Sequence, residues 1–324
     1  MSQTYKAVGI NLKSMPLGEN DRLLTILTKE HGLLRVVAQG ARKHKSSLSG
    51  RSALFVVNEL LLAKGKSLDR IIQAETLVSH SGLSGNLAKL TAGQYLAELV
   101  LLQAMSEQPQ EELFALLSEH LRRLERSPHL GSDQSGVPLL AMLAQATFHF
   151  LALAGLAPQV QACCVSRQTI VPEPDREDWL VGFSIPAGGT VDLAITAQLK
   201  ALQFQKIKLY KAKINVHPNQ SSGQFSGRVA ETSAQPYGEP LPEPMPDAIV
   251  KLTARQLALF QELAQPHLTW LTDSNGSIVG MTDRSDHGSL ADWQLVERTL
   301  RYYVQYHFER RIRSADLLQS CLLS

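Results

Sequence analysis

The chain has 324 residues, of which 44% are hydrophobic and 19% charged, with a formal net charge of +2. That length allows two or three domains with real apolar cores. No apolar run approaches the length of a membrane span, and three cysteines, two of them adjacent, cannot make a disulfide framework. The small net charge hides an asymmetry: residues 1–80 hold 12 Lys and Arg against 6 Asp and Glu, while the other 244 residues hold 20 against 24.

The chain opens "MSQTYKAVGINLK" without an apolar signal core, so the expectation is a cytosolic protein with no membrane association. Five segments then read as strands: "TYKAVGINLKSM", "DRLLTILTKE", "LLRVVAQGA", "ALFVVNELLLAKG" and "RIIQAETLVSH". Gly, Pro, Asn and Ser cluster between them, and no helical pattern interrupts the first four. Five strands at this spacing predict a small closed barrel or a sandwich over residues 1–80. In "RLLTILT", Leu23 and Leu27 point opposite to Leu24 and Ile26. One set is expected to fill a barrel and the other to pack under a neighbouring domain.

From Ser84 the period becomes helical. Leu87, Leu90, Leu96, Leu99 and Val100 predict one helix, and Leu113, Leu116, Leu117, Leu121 and Leu124 a second, with Glu111 and Glu112 in its first turn. "VPLLAMLAQATFHFLALAGL" is a nearly all-apolar third helix, suited to the centre of a bundle, with Gly155 as its cap. Residues 161–193 break the pattern, and a proline-rich stretch at 214–247 reads as a disordered insertion. "LTARQLALFQELAQ" resumes the helices, and "LADWQLVERTLRYYVQYHFERRIRSADLL" reads as one long final helix. The fold class expected is α+β multidomain, with the barrel followed by an all-helical domain over 81–324.

The most pointed feature is the run Arg42, Lys43, His44, Lys45 leaving the third strand, within a stretch that has no acid between Glu30 and Glu59. With Arg35, Arg51, Lys64, Lys66 and Arg70 it forms the electrostatic footprint of a nucleic-acid binder if these residues share one groove. The bland alternative is a solvated loop. Only Tyr5 and Phe55 are aromatic here, so phosphate contacts should dominate over base stacking.

"GENDRLLTILTKEHGLLRVVAQGARKHKSSLSG", "KSLDRIIQAETL", "QYLAELV" and the closing "HFERRIRSADLL" resemble the RecO family of DNA repair and recombination mediators. The resemblance implies an oligonucleotide-binding (OB) barrel and a protein that binds single- and double-stranded DNA, anneals complementary strands and helps load a recombinase. It also implies the partners RecR and the acidic C-terminal tail of single-strand-binding protein, and a cytoplasmic, nucleoid-associated location. Arg310, Arg311 and Arg313 are candidates for such a tail, against simple helix-dipole complementarity. The alternative from another class is an adaptor whose basic barrel binds an acidic protein.

Many RecO family members carry two CxxC pairs that hold zinc. Here the first reads "CCVS", with Cys163, Cys164 and Ser166, and "TVDL" follows Gly188 and Gly189 without a cysteine. A tetrahedral structural site needs four such ligands, so no zinc and no cofactor is expected. "GARKHKS" resembles a P-loop but lacks its second glycine. Asp283, Ser285, Asp286 and His287 are too close in sequence to be a triad, and His307 reads as a core or capping residue. No enzyme is expected.

Overall fold

Thr4–Leu17 (β1), Asp21–Thr28 (β2), Gly32–Ala38 (β3), Val56–Ala63 (β4) and Asp69–Ser79 (β5) close into a barrel in the order β1-β2-β3-β5-β4. Every pairing is antiparallel except β3 with β5, where Val36 faces Asp69 and Val37 faces Arg70. This is the Greek-key closure of an OB barrel. The computed structural model describes residues 3–127, 136–195, 249–268 and 288–323. The expected insertion at 214–247 and the Asp283–His287 cluster lie outside the described residues.

Leu24, Ile26, Val36, Ala38, Leu60 and Leu62 fill the barrel. Leu23 and Leu27, on the opposite face of β2, are also buried, and β2 packs against α3 (Glu111–Arg126). The doubly apolar strand thus has the two covers its pattern demanded. One element was not anticipated: a single helical turn, α1 (Leu48–Arg51), follows β3, with Leu48 packed on the barrel interior.

Asn86 caps α2 (Leu87–Gln103) by accepting the Lys89 N–H at 3.0 Å. In α3, Glu111 and Glu112 open the helix and Arg123 and Arg126 close it, as the dipole favours. The central helix α4 (Val137–Leu153) is buried almost throughout. It ends in a Schellman turn, in which the Leu156 N–H donates to Leu151 O at 2.7 Å and Gly155 takes φ +72°. After α5 (Ala254–Glu262), a Ser289–Asp292 capping box starts α6 (Leu290–Phe308). The single long final helix of the sequence reading is two helices. Glu309 adopts the left-handed conformation at φ 53° and ends α6, and α7 (Ser314–Leu323) starts afresh. Within the break, the Ile312 N–H donates to Gln305 Oε1 at 3.1 Å.

The described residues form two compact units. Residues 3–158 with 258–323 hold the barrel and most of the helices; residues 159–195 with 249–257 form the second unit. Its centre is a small sheet of Leu180–Ser184 (β6), Gly189–Val191 (β7) and Val250–Thr253 (β8), in the order β7-β6-β8. The region beyond the barrel is therefore not helical throughout.

In the first unit a buried polar chain ties residues 265–267 to α3 and α4. Arg123 donates to Gln145 Oε1 (3.2 Å) and Pro266 O (3.1 Å), contacts His267 Nδ1 at 3.1 Å and pairs with Glu119 at 2.7 Å. His149 donates to Gln265 O at 3.1 Å and meets buried His120 at 3.2 Å. Burial, with the neighbouring His149 and Arg123, holds His120 well below the usual imidazole range; burial, with Arg123 and His267 adding to it, also lowers His149. Imidazoles kept neutral in the fold contribute stability above the unfolded-state value, and that stability falls as pH drops through it. Urea unfolding should therefore show a loss of about 1–3 kcal/mol between about pH 7.5 and about pH 5.5, and His120→Phe should shrink that loss.

Candidate nucleic-acid interface

The basic loop is fastened to the β1–β2 hairpin. Asp21 Oδ1 accepts the Gly40 N–H at 2.7 Å, and Gly40 takes φ +65°, a conformation that suits glycine. The Arg42 N–H donates to Asn20 O at 2.9 Å, and its guanidinium donates to Gly18 O at 2.8 Å. Arg42, Lys43, His44 and Lys45 are all exposed, while Ala41 beside them is fully buried. The loop is thus a fixed ledge that presents charge to solvent.

Arg35 and Arg70 come from distant parts of the chain and share one face of the barrel's outer surface. Arg35 and Val37 share the outward face of β3, and the parallel pairing sets Arg70 of β5 beside Val37. Both arginines are exposed. Lys64 and Lys66 sit on the β4–β5 loop, which buried Asp69 organises: it accepts the Gly65 N–H at 2.9 Å and the Tyr5 hydroxyl, and lies 3.9 Å from the Lys64 ammonium. Burial first, then the bond to Asp69, pushes the Tyr5 hydroxyl above its ordinary range. Arg51 lies on a different element, α1. It is half-buried at the end of α1, and its carbonyl accepts from Asn11 (2.7 Å) on β1 and Asn58 (2.9 Å) on β4.

Among the described residues the barrel's ion pairs are Lys6–Glu59 and Lys64–Asp69, so exposed Arg35, Arg42, Lys43, Lys45, Lys66 and Arg70 are left out of any. The aromatic residues are committed elsewhere. Phe55 is buried, and Tyr5 packs edge-on against His31 with centroids 4.9 Å apart. Two large apolar residues of β5 face solvent. Ile72 and Leu77 are the extra residues of two β5 bulges, 53% and 51% exposed.

The family described as "Recombination protein O N terminal" matches residues 1–80, the barrel, and "Recombination protein O C terminal" matches 84–196. A protein of Nostoc sp. named "DNA repair protein RecO" is 47% identical over 320 residues, covering 99% of this chain and 97% of its own. Like-named proteins of Cyanothece sp. (48% over 325 residues; 99% and 97% covered) and Trichodesmium erythraeum (45% over 325; 100% and 96%) are similar over the same span. The chain belongs to the RecO family.

The four-cysteine pattern seen in many RecO family members is absent here, and zinc does not fit the residues present. Cys163 Sγ accepts N–H groups of Ser166 (3.5 Å) and Asp192 (3.3 Å), the geometry of a knuckle turned around a single sulfur. Burial raises the Cys163 thiol, but the Ser166 side chain, together with the backbone N–H groups of Ser166 and Asp192, outweighs it and leaves the thiol below its usual range. The Asp192 carboxylate accepts the Ala194 N–H at 2.7 Å, and among the described residues no three His, Cys, Asp or Glu side chains are grouped to hold a metal.

The three arginines near the RecO-like C-terminus do not end a helix. They occupy the break between α6 and α7. Arg311 pairs with Asp316 at 2.5 Å, and Arg310 is half-buried. Arg313 alone lines a cavity of about 410 Å³ with Leu12, Lys13, Leu54, Leu101 and Leu317. The carboxylate of Glu98 in that cavity accepts the N–H groups of Arg313 (2.7 Å) and Ser314 (3.2 Å), capping α7. Burial raises this carboxylate, against the lowering effect of those bonds. No helix among the described residues is long and apolar enough to cross a membrane.

Proposed function

We propose that this protein is a DNA repair and recombination mediator, non-enzymatic in action, whose barrel binds single- and double-stranded DNA through the phosphate backbone. The observation that carries the reading is the set of six exposed cations outside any ion pair on an OB barrel. Neutralising phosphates releases counterions and gives affinity without base specificity. Tyr5 and Phe55 are both engaged within the fold, so bases stay free to pair. Two strands whose charge is screened by one protein surface approach more readily, which is the physical basis for annealing.

The same reading extends to loading a recombinase on DNA coated by single-strand-binding protein, with RecR as partner. The acidic tail of single-strand-binding protein suits the cavity between β1, α2 and α7, where Lys13 and Arg313 border an apolar floor. A cytoplasmic, nucleoid-associated location follows from this function.

Fluorescence-resonance annealing of two complementary strands tests the proposal. The wild type should accelerate annealing, and Arg35→Ala with Arg70→Ala should slow it roughly tenfold, since two phosphate contacts are lost. A wild type that binds no DNA but saturates with one acidic protein would make the barrel an adaptor instead.

A further inference from the structure

Three helices of the first unit end at one place. The last residues of α2, α4 and α6, which are Gln103, Leu153 and Phe308, all line a groove of about 740 Å³, completed by the start of α3. Its apolar part is made by Leu102, Met105, Leu113 and Leu156 with Leu153 and Phe308, beside the polar Gln103 and Gln110. Met105 is 53% exposed and Leu153 39%, so large apolar side chains face water at its mouth.

The charge of this groove is opposite to that of the barrel. Each helix C-terminus carries roughly half a negative charge. Glu111 and Glu112, both exposed, stand on the rim, where they also offset the positive N-terminus of α3. Among the described residues no Lys or Arg lines the groove. The buried Gln103 Nε2 has no hydrogen-bond acceptor in it. DNA is repelled by such a surface; a cationic segment with apolar side chains matches it on both counts.

The wall is fixed in place. The α2–α3 loop is held to the β2–β3 hairpin by Leu33 N–H to Met105 O (2.9 Å), Glu107 N–H to His31 O (3.0 Å) and Gln110 N–H to Lys29 O (2.8 Å). Gly32 permits this contact: at φ +64°, an added Cβ would lie 2.1 Å from Met105 O. A groove built before its occupant arrives loses little entropy on binding.

We infer that this groove docks an amphipathic segment of a protein partner, one that sets Lys or Arg beside apolar anchors. It shares no residue with the basic set of the barrel, so the inference stands apart from DNA binding.

The test uses the full chain and a fluorescein-labelled synthetic helix of Leu and Lys, with a twin in which Glu replaces every Lys. Anisotropy should show saturable binding of the Lys helix to wild type. Met105→Ser, which removes an apolar anchor without adding charge, should weaken it, and Glu111→Lys with Glu112→Lys should weaken it roughly tenfold, rim charges acting on steering and register. The charge-reversed protein should gain affinity for the Glu twin, while binding of a DNA strand to both variants stays at or above the wild-type level. Absence of saturable binding of the Lys helix to wild type overturns the inference, as does equal binding to wild type and to both variants.

Discussion

Replacing Phe55 with alanine is expected to lower stability by about 3–5 kcal/mol, the range for removing a buried aromatic ring. Phe55 is 1% exposed and joins the barrel to the helices. Its N–H donates to Asn11 O at 2.9 Å, and its carbonyl accepts the His80 N–H at 3.3 Å. The ring lies against Gly93 of α2, where an added Cβ would come within 3.1 Å of it. Its backbone is left-handed, at φ 61°, which costs a non-glycine residue about 1–2 kcal/mol. Ring packing offsets that strain in the native protein. Phe55→Ala keeps the strain and loses the packing, whereas Phe55→Gly loses the packing but relieves the strain. Urea midpoints should therefore place Phe55→Gly no lower than Phe55→Ala. A glycine variant clearly below the alanine variant would show that backbone conformation is not what the ring offsets.

The second large effect concerns a charge pair inside the helical bundle. Glu297 and Arg301, one turn apart in α6, lie 3.2 Å apart with side chains 5% and 7% exposed, close to fully buried Tyr95. Burial pushes the Glu297 carboxyl up, and Arg301 only partly restores it. Glu297→Ala leaves a guanidinium buried without its counter-charge, at a cost of about 3–5 kcal/mol. Glu297→Leu combined with Arg301→Met removes both charges and should come out near wild type or above it. Thermal unfolding of the three proteins decides the point. A double variant as unstable as Glu297→Ala would mean that the pair stabilises the bundle in its own right.

The barrel was legible because each of its strands is long, rich in β-branched and apolar residues, and bounded by turn chemistry such as "PLGEN". The helices α2 to α4 were legible for the corresponding reason, a sustained helical period. What escaped was short or non-local. α1 spans four residues, too few to show a period. The strands β6, β7 and β8 have five, three and four residues, and β8 pairs with β6 across nearly seventy positions. The turn at Glu309 carries no glycine or proline to announce it, and its support comes from Gln305 and Glu98, the latter on another helix. Of the candidate interface, the run Arg42–Lys45 could be read directly. That Arg35 and Arg70 flank the same valine could not, because it depends on the parallel contact of β3 with β5. Exposed Ile72 and Leu77 were hidden by bulges, which reverse the alternation that strand patterns rely on.

The central claim is that the barrel holds DNA by its phosphates. The most direct measurement is fluorescence-anisotropy binding to a short mixed-sequence single strand from about 50 to about 200 mM salt, for wild type and for Arg42→Ala, Lys43→Ala and Lys45→Ala combined; six contacts predict a several-hundredfold loss for wild type over that range, and losing three should flatten the log–log slope by about 2. Equal affinities and equal slopes for the two proteins would contradict the account and leave the loop a solvated turn.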